Sequence, residues 1–289
     1  MSAVELSAVT GPLSGAGDVL ALPVVPGAGA AAVGRGGDAL AALGVDAAAL
    51  LAAREATGKA GEVVEVPVAR DGVSTVLLVG VGDATPAALR KAGAAVARRA
   101  GNNRTIATTV VDSADTEGLR AFAEAAALAA YSFSRRSVAK PKPLERITFV
   151  VDQPAPAQAA LEVARATADA VHLARDLAQT PSLEKTPAWM AEQAEKIASA
   201  AGLTAKVWDD KQLAADGFGG ILAVGRGSAR PPRLVQLDYA GQGRAGDGSD
   251  HANGQSRFQS DRDRVFPLLR NQAAHIPGSH VADGSVRRG

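Results

Sequence analysis

The sequence predicts an α/β protein in four parts. They are an N-terminal α/β domain over residues 1–152, a linking helix over 153–180, the beginning of a second α/β domain over 181–239, and a disordered tail over 240–289. Three observations lead there. β-Branched apolar runs alternate with helical stretches, most plainly at residues 74–81 (STVLLVGV), a pattern expected of strands covered on both faces. Thr85-Pro86 and Thr186-Pro187 carry the residue types favoured at a helix cap and first turn. After Tyr239 the chain turns to Gly, Arg, Ser, Asp and Gln, and too little apolar surface is left to offset the entropy of ordering.

In chain order, residues 18–25 (DVLALPVV) form an apolar run that stops at Pro26, and residues 63–68 alternate as a half-buried strand does. Gly82 ends the run at 74–81, and the helix capped by Thr85 shows an apolar face through Leu89, Ala92 and Val96. A strand at 106–111, a helix at 116–131 and a strand at 146–151 (RITFVV) complete the first domain. Strand and helix in turn imply a mostly parallel sheet with helices on its faces. The basic segment at 134–143 (SRRSVAKPKP) reads as a connecting loop, because no aromatic lies between its cations to stack on bases. An alanine-rich helix at 154–178 bridges to the second domain. There we expect a helix from Thr186 to about 201, a strand at 203–207, a short helix at 212–215, a buried strand at 220–224 (GILAV) and a last strand at 233–237 (RLVQL).

Composition narrows the function classes. Apolar residues make up 47% of the chain and aromatics 3%, so Ala, Val, Leu and Gly must build the cores. The 31 basic and 30 acidic residues nearly cancel, which gives no electrostatic footprint for a polyanion. With no cysteine, disulfides, zinc–thiolate sites and thiol nucleophiles are excluded. The start lacks a basic segment of the signal-peptide kind, and the least polar stretch, 19–34, holds two prolines and is too short for a membrane span. The expected location is the cytoplasm.

Glycine patterns invite a nucleotide-binding reading. Gly80-Val81-Gly82 sits between strand and helix, but Thr85 stands where the third glycine of the dinucleotide fingerprint belongs. Gly225-Arg226-Gly227 has Arg230 at that place, and Gly34-Arg35-Gly36-Gly37-Asp38-Ala39 fits a looser form with no convincing strand ahead of it. Tight turns explain these glycines. Gly58-Lys59 lacks the upstream glycine of a phosphate loop, Ala53 standing there, and no Gly-x-Ser-x-Gly elbow occurs. His172, between Asp169 and Asp176, reads as a polar helix position. His251, His275 and His280 lie in the tail near Asp247, Asp250 and Asp283, where a disordered chain would not hold ligands to metal-site tolerance.

Ala174-Arg175-Asp176-Leu177-Ala178-Gln179-Thr180-Pro181 resembles the arginine–aspartate–leucine stretch, with asparagine usual at Gln179, of the leucyl (cytosol) aminopeptidase family, and the likeness runs from about residue 18 to 239. Thr186-Pro187 with Ala191, Ala194 and Ala201-Gly202-Leu203 continues the likeness. Residues 222–228 (LAVGRGS), followed by Pro231-Pro232-Arg233-Leu234, resemble the glycine–serine turn and double proline before the strand ending at Tyr239. Val76 to Gly82, Leu89-Arg90-Lys91-Ala92 and Ala129-Ala130-Tyr131-Ser132-Phe133 are similar to the family's N-terminal domain, which in turn resembles macro-type α/β domains.

The resemblance implies a hexameric, two-domain enzyme that removes N-terminal residues from peptides with two divalent ions, manganese or zinc, activating a water. It places the lysine, aspartate and glutamate ligands and an assisting arginine beyond the strand ending at Tyr239. No lysine follows Lys211, no glutamate follows Glu195 and no methionine follows Met190. Asp247, Asp250, Asp261, Asp263 and Asp283 remain, none in a family motif. No catalytic, cofactor-binding or metal-ligating residue can therefore be assigned, no cofactor is expected on this chain, and it is expected to be inactive alone. The tail reads as an out-of-frame end of a GC-rich gene, against a diverged end on a degenerate homologue. A binding module for DNA or a nucleotide-like ligand is the alternative function. A third reading is a non-functional fragment whose strand at 233–237 lacks neighbours and invites aggregation.

Overall fold

The computed structural model describes residues 4–13, 15–100, 104–111, 115–135 and 144–240. The expectations of a loop at 134–143 and of disorder after 240 fall largely or wholly outside these residues. The chain divides into two units, Met1–Lys185 and Thr186–Gly289.

The first unit is built on a seven-stranded sheet. Its strands are β1 (Glu5–Val9), β2 (Val19–Val25), β3 (Ala32–Val33), β4 (Val63–Arg70), β5 (Val73–Gly80), β6 (Thr105–Thr108) and β7 (Arg146–Val150). The order is β1-β7-β6-β2-β5-β4, with β3 paired to β2. The β1–β7, β7–β6, β6–β2 and β2–β5 pairs are parallel, whereas β4 and β3 lie antiparallel to their neighbours. This is the mostly parallel sheet that the alternation of elements implies.

Period-two alternation sends the strands' side chains to two cores. Val19, Ala21, Leu77, Val79, Ile106, Ile147 and Phe149 face one side. They pack there with α3 (Pro86–Arg99), α4 (Thr116–Ala129) and α5 (Pro154–Gln179), through Leu89, Val96, Leu119, Phe122 and Leu161. Leu20, Leu22, Val24, Val76, Leu78 and Val150 face the other side, against Leu40 of α1 (Gly37–Ala42) and Leu51 of α2 (Ala47–Ala53). Phe122 and Phe149 meet edge to face with ring centroids 5.9 Å apart, a favoured aromatic geometry. The expected cap at Thr85 forms, its side chain accepting from Ala88 N–H at 3.3 Å. The helix predicted at 154–178 is α5, which packs on α4 and β1 inside this unit.

Four elements of this unit escape a sequence reading: β1, β3, α1 and α2. β1 alternates weakly, as Glu-Leu-Ser-Ala-Val, and gains its place only by lying parallel to β7. α1 and α2 have six and seven residues, too short for a period to stand out. β6 is shorter than the strand expected at 106–111, ending at Thr108. The Thr108 hydroxyl then accepts from Val110 N–H at 3.1 Å, turning the chain out of the ladder.

The second unit, as far as it is described, contains α6 (Pro187–Ala201), β8 (Thr204–Trp208), α7 (Asp210–Ala215), α8 (Gly219–Gly225) and β9 (Leu234–Asp238). Thr186 caps α6 by accepting from Trp189 N–H at 3.1 Å, and Gly202 ends it in the left-handed region at φ 66°. β8 and β9 pair antiparallel, Trp208 opposite Leu234. Asp209 and Gln212 form a reciprocal capping box at α7.

One expectation is overturned here. Residues 220–224 are not a buried strand but belong to helix α8, none of whose residues is buried; Val224 is 89% exposed. Ile221 and Leu222 N–H both donate to Phe218 O, closing helical turns. An apolar run this short carries no decisive period, and the flanking glycines at 219 and 220 suit a turn as well as a strand end.

Candidate functional site

The arginine–aspartate stretch lies at the C-terminal end of α5, where it meets the end of α4. Spacing along a helix brings His172, Arg175, Asp176 and Gln179 to one side, and there they surround the half-buried Tyr131. The Tyr131 hydroxyl donates to Asp176 Oδ1 at 2.7 Å and accepts from Gln179 Nε2 at 3.1 Å. The Arg175 guanidinium lies 5.3 Å from the Tyr131 ring centroid and donates to Leu128 O. His172 stacks on the same ring at 5.1 Å, and its Nε2 is buried with no partner. Burial, then the hydrogen bond to Asp176 and its negative charge, push the Tyr131 phenol up to about 12, against the opposing pull of Arg175. The residues of the family-like motif are thus engaged in joining α4 to α5. His172, expected as a polar helix position, is an aromatic contact with one nitrogen closed off.

The glycine patterns have separate fates. A Cβ at Gly80 would lie 2.2 Å from Lys59 O, and Gly82 adopts φ 61°, so both serve the close approach of this turn to residues 58–60. The 57–59 loop already holds an anion from its own chain. Glu62 Oε2 accepts from the N–H groups of Thr57, Gly58 and Lys59 at 2.9, 2.8 and 3.2 Å and from the Thr57 hydroxyl at 3.0 Å. Gly225-Arg226-Gly227, expected to follow a strand, leaves the end of helix α8 instead.

The Gly34–Ala39 stretch does follow a strand, the two-residue β3, and leads into α1, which corrects the expectation that no strand precedes it. Gly36 has φ 92°, and a Cβ there would come within 2.8 Å of Leu13 Cδ1. Beside it lies a cavity of about 490 Å³ bounded by the loop after β1, Arg35, Gly36, α1, the β4–β5 turn and the ends of β6 and β7. The Thr109 hydroxyl donates to Arg35 O at 2.7 Å and fixes the loop against the sheet. Arg35 Nη2 pairs with Asp152 at 2.5 Å, while its Nη1 is buried with no partner.

Among the described residues no group of three His, Cys, Asp or Glu side chains gathers to hold a metal ion. The described residues therefore do not fit the two-ion centre that the family resemblance implies, and no catalytic step follows from them. His251, His275, His280, Asp247, Asp250, Asp261, Asp263 and Asp283 lie outside the described residues.

Comparison with known proteins bears on both units. The profile described as "Cytosol aminopeptidase family, N-terminal domain" matches residues 29–140, and "Cytosol aminopeptidase family, catalytic domain" matches residues 172–250, past the point where the likeness was expected to stop. The chain is 40% identical over 201 residues to a probable cytosol aminopeptidase of Nocardia farcinica, covering 66% of this chain and 39% of that protein. A probable cytosol aminopeptidase of Mycobacterium marinum is 38% identical over 199 residues, covering 66% and 38%. Among solved structures, the bottromycin maturation enzyme BotP, also seen in complex with Mn, is 33% identical with a TM-score of 0.62, over 78% of this chain and 46% of its own. A mutant of tomato leucine aminopeptidase shares the fold at 22% identity, with a TM-score of 0.70 over 83% of this chain and 52% of that one. The chain thus spans about 39% of the length of curated relatives such as the Nocardia protein. Matched in order by both domains of one family over well over half its residues, the chain belongs to the cytosol aminopeptidase family, with its N-terminal domain and part of its catalytic domain.

Proposed function

We propose that this polypeptide derives from a metal-dependent leucyl aminopeptidase, an enzyme releasing N-terminal amino acids from peptides, and that it does not hydrolyse peptides by itself. The carrying observation is that the family's two domains match in order while the ligand types the resemblance calls for, a lysine and a glutamate, do not occur after Lys211 and Glu195. Family relatives would use two divalent ions, manganese or zinc, and assemble as hexamers. On this reading residues 1–152 act as the N-terminal domain, 153–180 as the linking helix and 181–239 as the start of the peptidase domain. A cytoplasmic location is supported by the relatives' naming as cytosol aminopeptidases. No helix among the described residues is long and apolar enough to cross a membrane.

The test is hydrolysis of leucine-p-nitroanilide by the purified full chain, with and without added Mn²⁺. No release of nitroaniline above the buffer rate is expected. Metal-dependent turnover would overturn the reading.

A binding role for the first unit is favoured by a separate observation, the cavity beside Arg35.

A further inference from the structure

The two units differ in how much core each possesses. Both clusters of buried apolar residues lie in the first unit. In the second, the buried side chains among the described residues are Ala191 and Ala198 of α6, Trp208 of β8 and Leu213 of α7. Two of these four are alanines, which bury little surface. No residue of α8 or β9 is buried, and Val224, Leu237 and Tyr239 are 89%, 44% and 76% exposed.

The strands tell the same story. α6 packs on β8 and β9, and among the described residues these strands pair only with each other. A two-stranded ladder leaves two free edges and is marginal in water; a third strand or a fuller apolar cover makes it stable. Local structure is nonetheless well specified. Thr186 caps α6, Asp209 and Gln212 cap α7, and Trp208 Nε1 donates to Asp216 Oδ2 at 2.9 Å. Caps and side-chain hydrogen bonds shape the elements without removing apolar surface from water. The second unit therefore has its elements prepared and its core unfinished.

The family match indicates what finishes it. The catalytic-domain profile matches residues 172–250, and the chain covers 39% of the Nocardia farcinica protein, leaving most of that protein unmatched. We propose that the second unit is a docking surface for a separate polypeptide carrying the C-terminal part of a cytosol aminopeptidase catalytic domain, which adds strands to the β8–β9 ladder and covers Val224 and Leu237. Backbone hydrogen bonds at the free edges supply the pairing, and the exposed aliphatic side chains supply the burial. A second copy of this chain is the poorer occupant, because it brings the same unfinished elements and none that complete them. The proposal rests on the family membership and is independent of whether the chain alone hydrolyses peptides.

The experiment co-expresses the full chain with a tagged segment of the Nocardia farcinica protein, the part C-terminal to the matched region. Amide hydrogen exchange is then followed by mass spectrometry in the free chain and in the purified pair. A one-to-one complex is expected, with exchange at residues 204–208 and 234–238 slowed at least tenfold and exchange at residues 19–25 unchanged. Val224→Glu and Leu237→Glu, at exposed positions in two different elements, should each lower the yield of complex at least tenfold. Failure of the segment to co-purify would overturn the proposal, and so would precipitation of the pair. Slow exchange at 204–208 and 234–238 in the free chain, self-association in place of segment binding, or an unchanged yield in both variants would overturn it equally. Hydrolysis of leucine-p-nitroanilide by the free chain would sink the inactivity reading alone, so the two failures are seen separately.

Discussion

Glu62 does for the 57–59 loop what a bound anion does elsewhere, collecting three backbone N–H groups and a hydroxyl on one oxygen. Charge-assisted hydrogen bonds of this kind are the stronger ones, though solvent weakens those at the surface. Glu62→Gln keeps the shape and removes the charge. It should lower the urea-unfolding free energy by about 1 kcal/mol, the scale of a partly exposed charged hydrogen-bond set. An unchanged midpoint would mean that the loop holds itself. Tyr131 makes the second prediction. Its folded pKa of about 12 lies above the ordinary tyrosine value, so the neutral phenol is the form that the fold favours. Its contribution is complete below pH 10, the unfolded value, and is lost as pH rises from there towards 12. Tyr131→Phe should flatten this alkaline loss in circular-dichroism unfolding curves, relative to the unsubstituted chain, because no phenol remains there to ionise. The sequence shows Tyr131 and Asp176 as separate motif residues 45 positions apart; only the crossing of α4 and α5 joins them.

At the scale of elements, α3 and α4 approach closely at Gly93, where a Cβ would stand 2.2 Å from Phe122 O. Gly93→Ala therefore cannot act as the ordinary helix-stabilising substitution. Forced separation of the two helices should cost about 1–3 kcal/mol, as overpacking does, read from chemical denaturation. Phe122→Ala, at a fully buried ring that meets Phe149 of β7, should cost about 3–5 kcal/mol by loss of transfer energy and cavity formation. Long helices with Thr-Pro starts were visible in advance because cap chemistry and the 3.6-residue period are local properties. The apolar run at 220–224 carries no such signal, because it is too short: only its surroundings decide between strand and helix. Among the described residues it joins neither strand of the β8–β9 sheet and forms a helix with no buried residue.

For the whole molecule, balanced charge argues against affinity for nucleic acid. A gel-shift assay with duplex DNA at modest salt should show no retained complex; a stable band would revive the DNA-binding alternative.

Residue order alone determines the α/β class, the capped helices, the two-sided burial of β5 and the family likeness, because each follows from local period or from motifs contiguous in the chain. The three-dimensional fold decided the rest: that weakly patterned β1 pairs with β7, that the motif residues of α5 bind Tyr131, that Glu62 fills its own loop, and that Arg35 borders a cavity. Each depends on side chains brought together across tens of residues, and a contact of that kind leaves no periodic trace in either partner's neighbourhood.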